Sequence, residues 1–178
     1  ARKRDRNLYT VGAFPEGHAV NAHEIKAGVV YKDENVTVTA FATKHTLESY
    51  GYRFDSRDRS IVVSGDTNPT QATVDACRGC DVLIHEVHTD AWLAARPEAG
   101  GAPPGTFRRF SEQFHTTTSQ LAKLAQAAKP RLLILYHYNS RSFEELQADM
   151  MKHYAGHFVI ARDLDVYYPG TYKCFQPY

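Results

Sequence analysis

The sequence predicts an α/β fold, in which a mixed β-sheet carries helices on its outer face. Three short apolar runs, each bounded by turn or polar residues, have the length and composition of buried strands. These runs cover residues 61–63, 82–84 and 132–135. Segments with the apolar periodicity of helices follow them, so strands and helices alternate through this part of the chain.

The first part of the chain reads as an irregular segment followed by hairpins. Residues 1–27 are polar and show no periodic pattern, so we predict an irregular N-terminal segment and a single domain over 28–178. Strands are predicted at 28–31 and 36–42, and the second alternates apolar and threonine side chains. A second hairpin is predicted from residues 50–55 and 59–63, across the polar turn between them.

Three helices are predicted from their end signals and apolar faces. Gly79 terminates the first, threonines offer an N-cap for the second, and Ser142 with Glu145 forms a capping box for the third. The helices cover residues 69–77, 118–128 and 142–154.

The remaining stretches carry weaker signals. An insertion at residues 94–113 contains several glycines and prolines and is predicted to be irregular; whether it is a binding loop or plain disorder stays open. Residues 158–161 and 166–168 are predicted to close the chain as two short strands.

Composition gives no sign of a strong electrostatic attraction to a partner or of a membrane span. The formal net charge of +1 creates no global field that would recruit nucleic acid or a membrane surface. Since no apolar run approaches the ~20 residues of a membrane span, we expect no membrane partner and favour a cytoplasmic location. The chain begins with Ala1 rather than Met, so an exported parent stays open.

The three cysteines are an odd number, which argues against a disulfide framework. Cys77 and Cys80 form a CxxC pair of the kind found in redox centres and zinc knuckles. Because no second CxxC is present and Cys174 is distant in sequence, we expect both to be small buried residues between a helix and a strand.

Polar residues end each of the three apolar runs. Asp66 follows the first run across Ser64-Gly65, His85 and Glu86 follow the second, and His137 follows the third. Open α/β sheets bind ligands beyond the carboxyl ends of their strands, so we expect these side chains to lie close together. The sequence therefore predicts a site at this edge.

The donor types indicate a metal-dependent hydrolase. Carboxylate and imidazole groups, here Asp66, His85, His115 and His137, suit zinc, manganese or iron better than calcium or magnesium. If Glu86 hydrogen-bonds His115, the imidazole becomes a general acid for an alkoxide leaving group. The alternative, that these are ordinary hydrogen-bonded strand-end residues, stays open. His45 is a candidate for the rim of the same site.

Five segments together resemble a known family. "FATKH…YGYRF", "SGDT", "HEVH", "FHTTTSQLAKLA" and "LLILYHYNSR" are similar to the C-terminal half of a metallo-β-lactamase-fold hydrolase, and most closely to the ribonuclease Z and arylsulfatase-like phosphodiesterase branch. The resemblance runs from about Gly28 to the end of the chain. It implies half of an αββα sandwich and two zinc ions in the complete domain, with manganese or iron as alternatives.

The resemblance also implies roles for individual residues. Asp66 would bridge the two metal ions and His137 would bind one of them. His115 would donate the proton, with Glu86 as its charge partner and His85 in support. Arg141, which follows His137, resembles a contact to the substrate phosphate, and an arginine exposed to solvent is the alternative. His45, the rim candidate named above, is the other predicted substrate contact.

The chain departs from the family in one respect. Family members carry a His-x-His-x-Asp-His cluster in their N-terminal half, and this sequence has none. We therefore expect the chain to be part of a longer enzyme that acts on a phosphodiester in nucleic acid or on a small ester. The alternative is a non-catalytic half-domain that binds a partner chain and is inactive alone.

The three apolar runs indicate that a partner covers one face of the sheet. They are continuous rather than alternating, which implies that both faces of the sheet are covered. The predicted helices cover one face, and in the sandwich that the resemblance implies the other face packs on the N-terminal half. We expect the chain to need that half, or a second copy of itself, to cover the exposed apolar face.

Overall fold

The computed structural model describes residues 22–95, 103–168 and 173–175. Seven strands lie side by side in chain order, namely β1 (Gly28–Lys32), β2 (Val36–Ala42), β3 (Tyr50–Ser56), β4 (Ser60–Val63), β5 (Val82–His88), β6 (Leu132–Asn139) and β7 (Phe158–Ile160). The helices are α1 (Gln71–Cys77), α2 (Asp90–Ala95), α3 (Thr106–Phe114), α4 (Thr118–Ala128) and α5 (Phe143–His153). A separate pair is formed by β8 (Val166–Tyr168) and β9 (Lys173–Phe175). None of the helices in these ranges is long and apolar enough to cross a bilayer.

The sheet is mixed, as predicted. Strands β1 to β4 pair antiparallel and are joined by short turns. Strands β4 to β7 pair parallel, and each parallel step requires a crossover that α1, then α2 to α4, then α5 provide. Parallel pairing places the carboxyl ends of β4, β5 and β6 at one edge of the sheet, and the chemistry-bearing residues collect there.

Strands β5 and β6 are longer than the sequence predicts. Their pairing continues past the apolar runs, with His85 opposite Leu135 and Glu86 opposite Tyr136. His85, Glu86 and His137 therefore lie inside strands rather than after them. The cause is the long-range backbone ladder, which extends the strands after the side chains have become polar.

The insertion at residues 94–113 was wrongly predicted to be irregular over its second half. Residues from Thr106 form α3, which starts after Gly105, a residue with φ of 78°. Phenylalanines at 107, 110 and 114 have helical spacing, a signal that the preceding glycines and prolines obscured. Residues 96–102 lie outside the described part of the chain.

The C-terminal strands also differ from the prediction. β7 extends the main sheet by pairing parallel with β6. β8 instead pairs antiparallel with β9, a strand that was not predicted. Sequence patterns of three residues are too short to identify a pairing partner, which is why this division was missed.

The main core lies between the sheet and the helices. Val62, Leu83, Leu133 and Leu135 are fully buried against residues of α4 and α5 such as Leu121 and Leu146. On the other face of the sheet, Ile61, Val63 and Ile84 are only partly buried. The expectation that a second chain or a further segment covers that face stays a prediction.

The core predicts a large effect for a truncated leucine. Leu133→Ala removes three side-chain carbons from a site with no exposed area and should lower the free energy of unfolding by about 2–5 kcal/mol. Chemical denaturation measures this change. Met151→Ala, on the exposed side of α5, is the control and should change it by less than about 0.5 kcal/mol. Equal effects of the two variants would contradict the position of the core.

Cys77 and Cys80 are joined by a disulfide, contrary to the argument from the odd cysteine count. Both residues are buried, as expected. Between them Arg78 and Gly79 have φ of 39° and 79°, and these two left-handed residues reverse the chain at the end of α1. The turn brings the two Cα atoms to 4.7 Å, within the usual range for a disulfide.

Candidate active site

The edge formed by the carboxyl ends of β4, β5 and β6 collects the predicted site residues. Asp66 follows β4, Glu86 lies on β5 and His137 lies on β6. His115 lies between α3 and α4 and reaches the same edge through a hydrogen bond to Glu86. The structure thus brings these residues together as two neighbouring pairs.

The first pair is Asp66 and His137. Oδ2 of Asp66 lies 3.3 Å from Nε2 of His137, and the side chains are 40% and 50% exposed. Gly65 makes the turn that delivers Asp66: its φ is 66°, and a Cβ there would lie 3.3 Å from the Tyr50 carbonyl oxygen. A side chain at position 65 would strain this turn.

His137 occupies an irregular point of β6. The pairing with β5 passes from Glu86 opposite Tyr136 to Val87 opposite Tyr138, so His137 is the extra residue of a β-bulge. Its φ is 43°, which is unusual for a residue other than glycine. Bulges of this kind redirect a side chain, and here the result is the contact with Asp66.

The Asp66 and His137 pair fits a zinc ion, the metal that the resemblance implies. Two ligands of one tetrahedral zinc ion lie about 3.3–3.4 Å apart when each bond is about 2.05 Å, and the observed separation is 3.3 Å. A carboxylate and an imidazole are ordinary zinc ligands. Their exposure leaves room for further ligands.

The second pair is Glu86 and His115. Nδ1 of His115 lies 3.0 and 3.1 Å from the two carboxylate oxygens, and the backbone N–H of Thr67 donates to Oε1 at 2.6 Å. Glu86 is fully buried and His115 nearly so. A buried carboxylate that accepts both bonds fixes the orientation of the imidazole ring.

Burial and charge shift both members of this pair toward holding a proton. Burial raises the pKa of the Glu86 carboxyl, and the bonds from His115 and Thr67 oppose it in part. Burial acts to lower the pKa of His115, but the hydrogen bond and charge of Glu86, together with the charge of Asp66, outweigh it and raise that pKa. The pair therefore retains one proton more firmly than separate groups would.

The loop after Asp66 connects the two pairs. The Thr116 hydroxyl donates to the Thr67 carbonyl at 2.6 Å, and the Asn68 side-chain amide donates to the His115 carbonyl at 3.2 Å. With the Thr67 N–H bound to Glu86, the loop that presents Asp66 is attached on three points to the residues that hold His115. The two pairs therefore form one site.

His88 also lies at this site, although no role was predicted for it. It is buried, its ring stacks on that of His115 with centroids 4.6 Å apart, and its Nε2 lies 3.7 Å from Oε2 of Glu86. Potential metal-ligand atoms of Glu86, His88 and His115 lie within 4.8 Å of one another. The available signal was the spacing of two from Glu86, which places both side chains on the same face of a strand.

The other predicted site residues have different surroundings. His85 is fully buried, its Nδ1 lies 2.7 Å from the Glu86 main-chain carbonyl, and burial lowers its pKa to about 4. The ring of His45 lies edge-on to that of His115 at 5.1 Å, consistent with the rim. The Arg141 guanidinium pairs with Glu145 near the start of α5. Roles for these residues stay predictions.

Sequence comparisons identify a family and several similar proteins. Residues 5–138 match the family described as "Beta-lactamase superfamily domain". A ribonuclease BN of Cronobacter sakazakii is 26% identical over 181 residues, covering 73% of this chain and 55% of that protein. A ribonuclease Z of Marinobacter nauticus is 34% identical over 118 residues, covering 61% and 33%. The chain spans about half or less of the length of these curated relatives.

Solved structures show a similar fold. The metallo-beta-lactamase fold protein YhfI from Bacillus subtilis superposes with a TM-score of 0.58 at 18% identity, covering 74% of this chain and 48% of that one. A putative metal-dependent hydrolase from Parabacteroides distasonis gives a TM-score of 0.53 at 17% identity, covering 87% and 60%. At these identities the likeness concerns the fold alone.

Proposed function

The chain belongs to the beta-lactamase superfamily, and on that premise we propose that the protein is a metal-dependent hydrolase of phosphodiester bonds. The observation that carries the proposal is the junction of two unlike pairs. Asp66 and His137 are accessible and have the separation of zinc ligands. Glu86 is fully buried and hydrogen-bonds the His115 ring, and the Asp66 loop is bonded to both residues.

Each pair has a distinct task in this proposal. Asp66 and His137 would hold zinc, which when bound would supply Lewis acidity and a nucleophile at neutral pH. Glu86 engages Nδ1 of His115, so Nε2 is the atom left to protonate the leaving-group oxygen. The buried carboxylate also stabilises the cationic form of the ring before the proton is transferred.

The relatives favour RNA as the substrate. The relatives named ribonuclease Z and ribonuclease BN favour a phosphodiester bond in RNA as the substrate of this protein. A small ester is the alternative substrate. Arg141 is the proposed phosphate contact and His45 the proposed rim contact. For Arg141 this requires the guanidinium to leave Glu145 when substrate binds.

Metal content and hydrolysis together test the proposal. The complete purified protein should contain zinc, and should hydrolyse bis(p-nitrophenyl) phosphate and a short single-stranded RNA. A chelator should remove both activities, and added zinc or manganese should restore them. Full activity in metal-free protein would contradict the metal role, and zinc-loaded protein inactive on both substrates would favour the non-catalytic alternative.

A further inference from the structure

Both ring nitrogens of the buried His88 have hydrogen-bond partners from other elements. The Asn139 side-chain amide donates to its Nε2 at 2.9 Å, and its Nδ1 lies 3.1 Å from the hydroxyl of Ser111. Because Nε2 accepts from Asn139, the proton of the neutral ring lies on Nδ1 and is donated to Ser111. These contacts fix both the tautomer and the plane of the ring.

The ring of His88, held in this orientation, packs against the ring of His115, the proposed proton donor. The rings of His88 and His115 are 4.6 Å apart and inclined by only 27°, so one lies flat against the other. The ring of His88 also forms a T-shaped contact with Trp92, with centroids 5.1 Å apart. Trp92 in turn forms a T-shaped contact with Phe107, with centroids 5.8 Å apart. Rings from α2 and α3 thus support His88, which explains how the insertion after β5 contributes to the site.

The tautomer of His88 also matters for Glu86. Nε2 of His88 is 3.7 Å from Oε2 of Glu86, close enough for a protonated His88 to compete with His115 for the carboxylate. The N–H of Asn139 occupies that nitrogen instead. His115 is therefore the histidine that hydrogen-bonds Glu86.

We propose that His88 is a positioning residue of the hydrolase, which orients the ring of His115 by stacking and does not compete with His115 for Glu86. This inference rests on the proposed function, since it assigns His115 as proton donor. A metal ion bound by Glu86, His88 and His115 is the rival use of the same atoms. We favour positioning because both ring nitrogens of His88 already have hydrogen-bond partners.

Three variants test the role of His88. His88→Ala removes the supporting ring and should lower kcat by about 10- to 100-fold, the usual effect of removing such a support. His88→Phe keeps a flat ring and should recover most of that loss. The loss in His88→Ala should be greater for an aryl ester with a poor leaving group than for a nitrophenyl ester, because proton donation matters most there. Val87→Ala, which removes fully buried methyls on the same strand, should leave the leaving-group dependence unchanged.

Ring NMR and zinc content separate this proposal from the proposed function. In wild-type protein labelled with ¹⁵N-histidine, the His115 Nδ1–H should give a resolved signal, which His88→Ala should weaken and Val87→Ala should keep. An unaffected signal together with an unchanged leaving-group dependence would overturn the positioning role even in an active enzyme. Loss of one zinc ion per chain in His88→Phe would overturn it in favour of a metal ligand. Inactive wild-type protein would instead count against the proposed function.

Discussion

Asp66→Ala is expected to abolish hydrolysis and to lower the zinc content of the protein. Asp66 supplies the only carboxylate of the accessible pair, and its Oδ2 lies 3.3 Å from His137. Its loss removes a negatively charged ligand and leaves one imidazole, which holds zinc far more weakly. His137→Ala should have a similar effect, because it removes the other member of the pair.

Zinc content and hydrolysis of bis(p-nitrophenyl) phosphate, measured on the same preparations, check this prediction. Asp58→Ala is a suitable control, since it removes a largely exposed aspartate from the turn between β3 and β4. That variant should keep its zinc and its activity. An Asp66→Ala protein that retained both its zinc and its activity would contradict the assignment of Asp66 as a metal ligand.

His115→Ala should slow turnover by about 10²- to 10⁴-fold while the zinc stays bound. In the proposed mechanism His115 acts on the leaving group, whereas Asp66 and His137 hold the metal. The loss should shrink for nitrophenolate leaving groups, which need little protonation. Glu86→Gln should produce a smaller loss of the same kind, since a neutral amide can orient the ring but stabilises its cationic form less.

Steady-state rates across a series of leaving groups, with zinc content in parallel, measure this effect. The matched control is His153→Ala at the exposed end of α5, which should behave as wild type. Equal losses for good and poor leaving groups would contradict a role as proton donor. Loss of zinc in His115→Ala would show that His115 is a ligand instead.

Local patterns predicted most of the elements and the proximity of Asp66 to His137, but not α2, α3 or β9. β2 has the predicted bounds, and the apolar runs of β5 and β6 begin where expected, because alternation and continuous burial are properties of short stretches. The neighbouring positions of Asp66 and His137 followed from parallel strands ending at one edge. Both inferences needed only the order of residues along the chain.

What was missed depends on contacts between distant segments. The bulge at His137 exists only because β5 and β6 pair, and the role of His88 depends on Ser111 and Asn139, which lie in other elements. The disulfide between Cys77 and Cys80 depends on two successive left-handed residues, one of them an arginine that gives no sequence signal for that conformation. Such features are decided by packing rather than by propensity.

The parallel half of the sheet has a kinetic consequence. Asp66, just after β4, and His137, on β6, are separated along the chain by β5 and four helices, so their contact forms only after the long crossovers have closed. Closing such loops is slow and comes late in folding. Zinc bound by this pair would therefore stabilise the native state without guiding its formation. It would slow the unfolding of the protein while leaving the rate of folding almost unchanged.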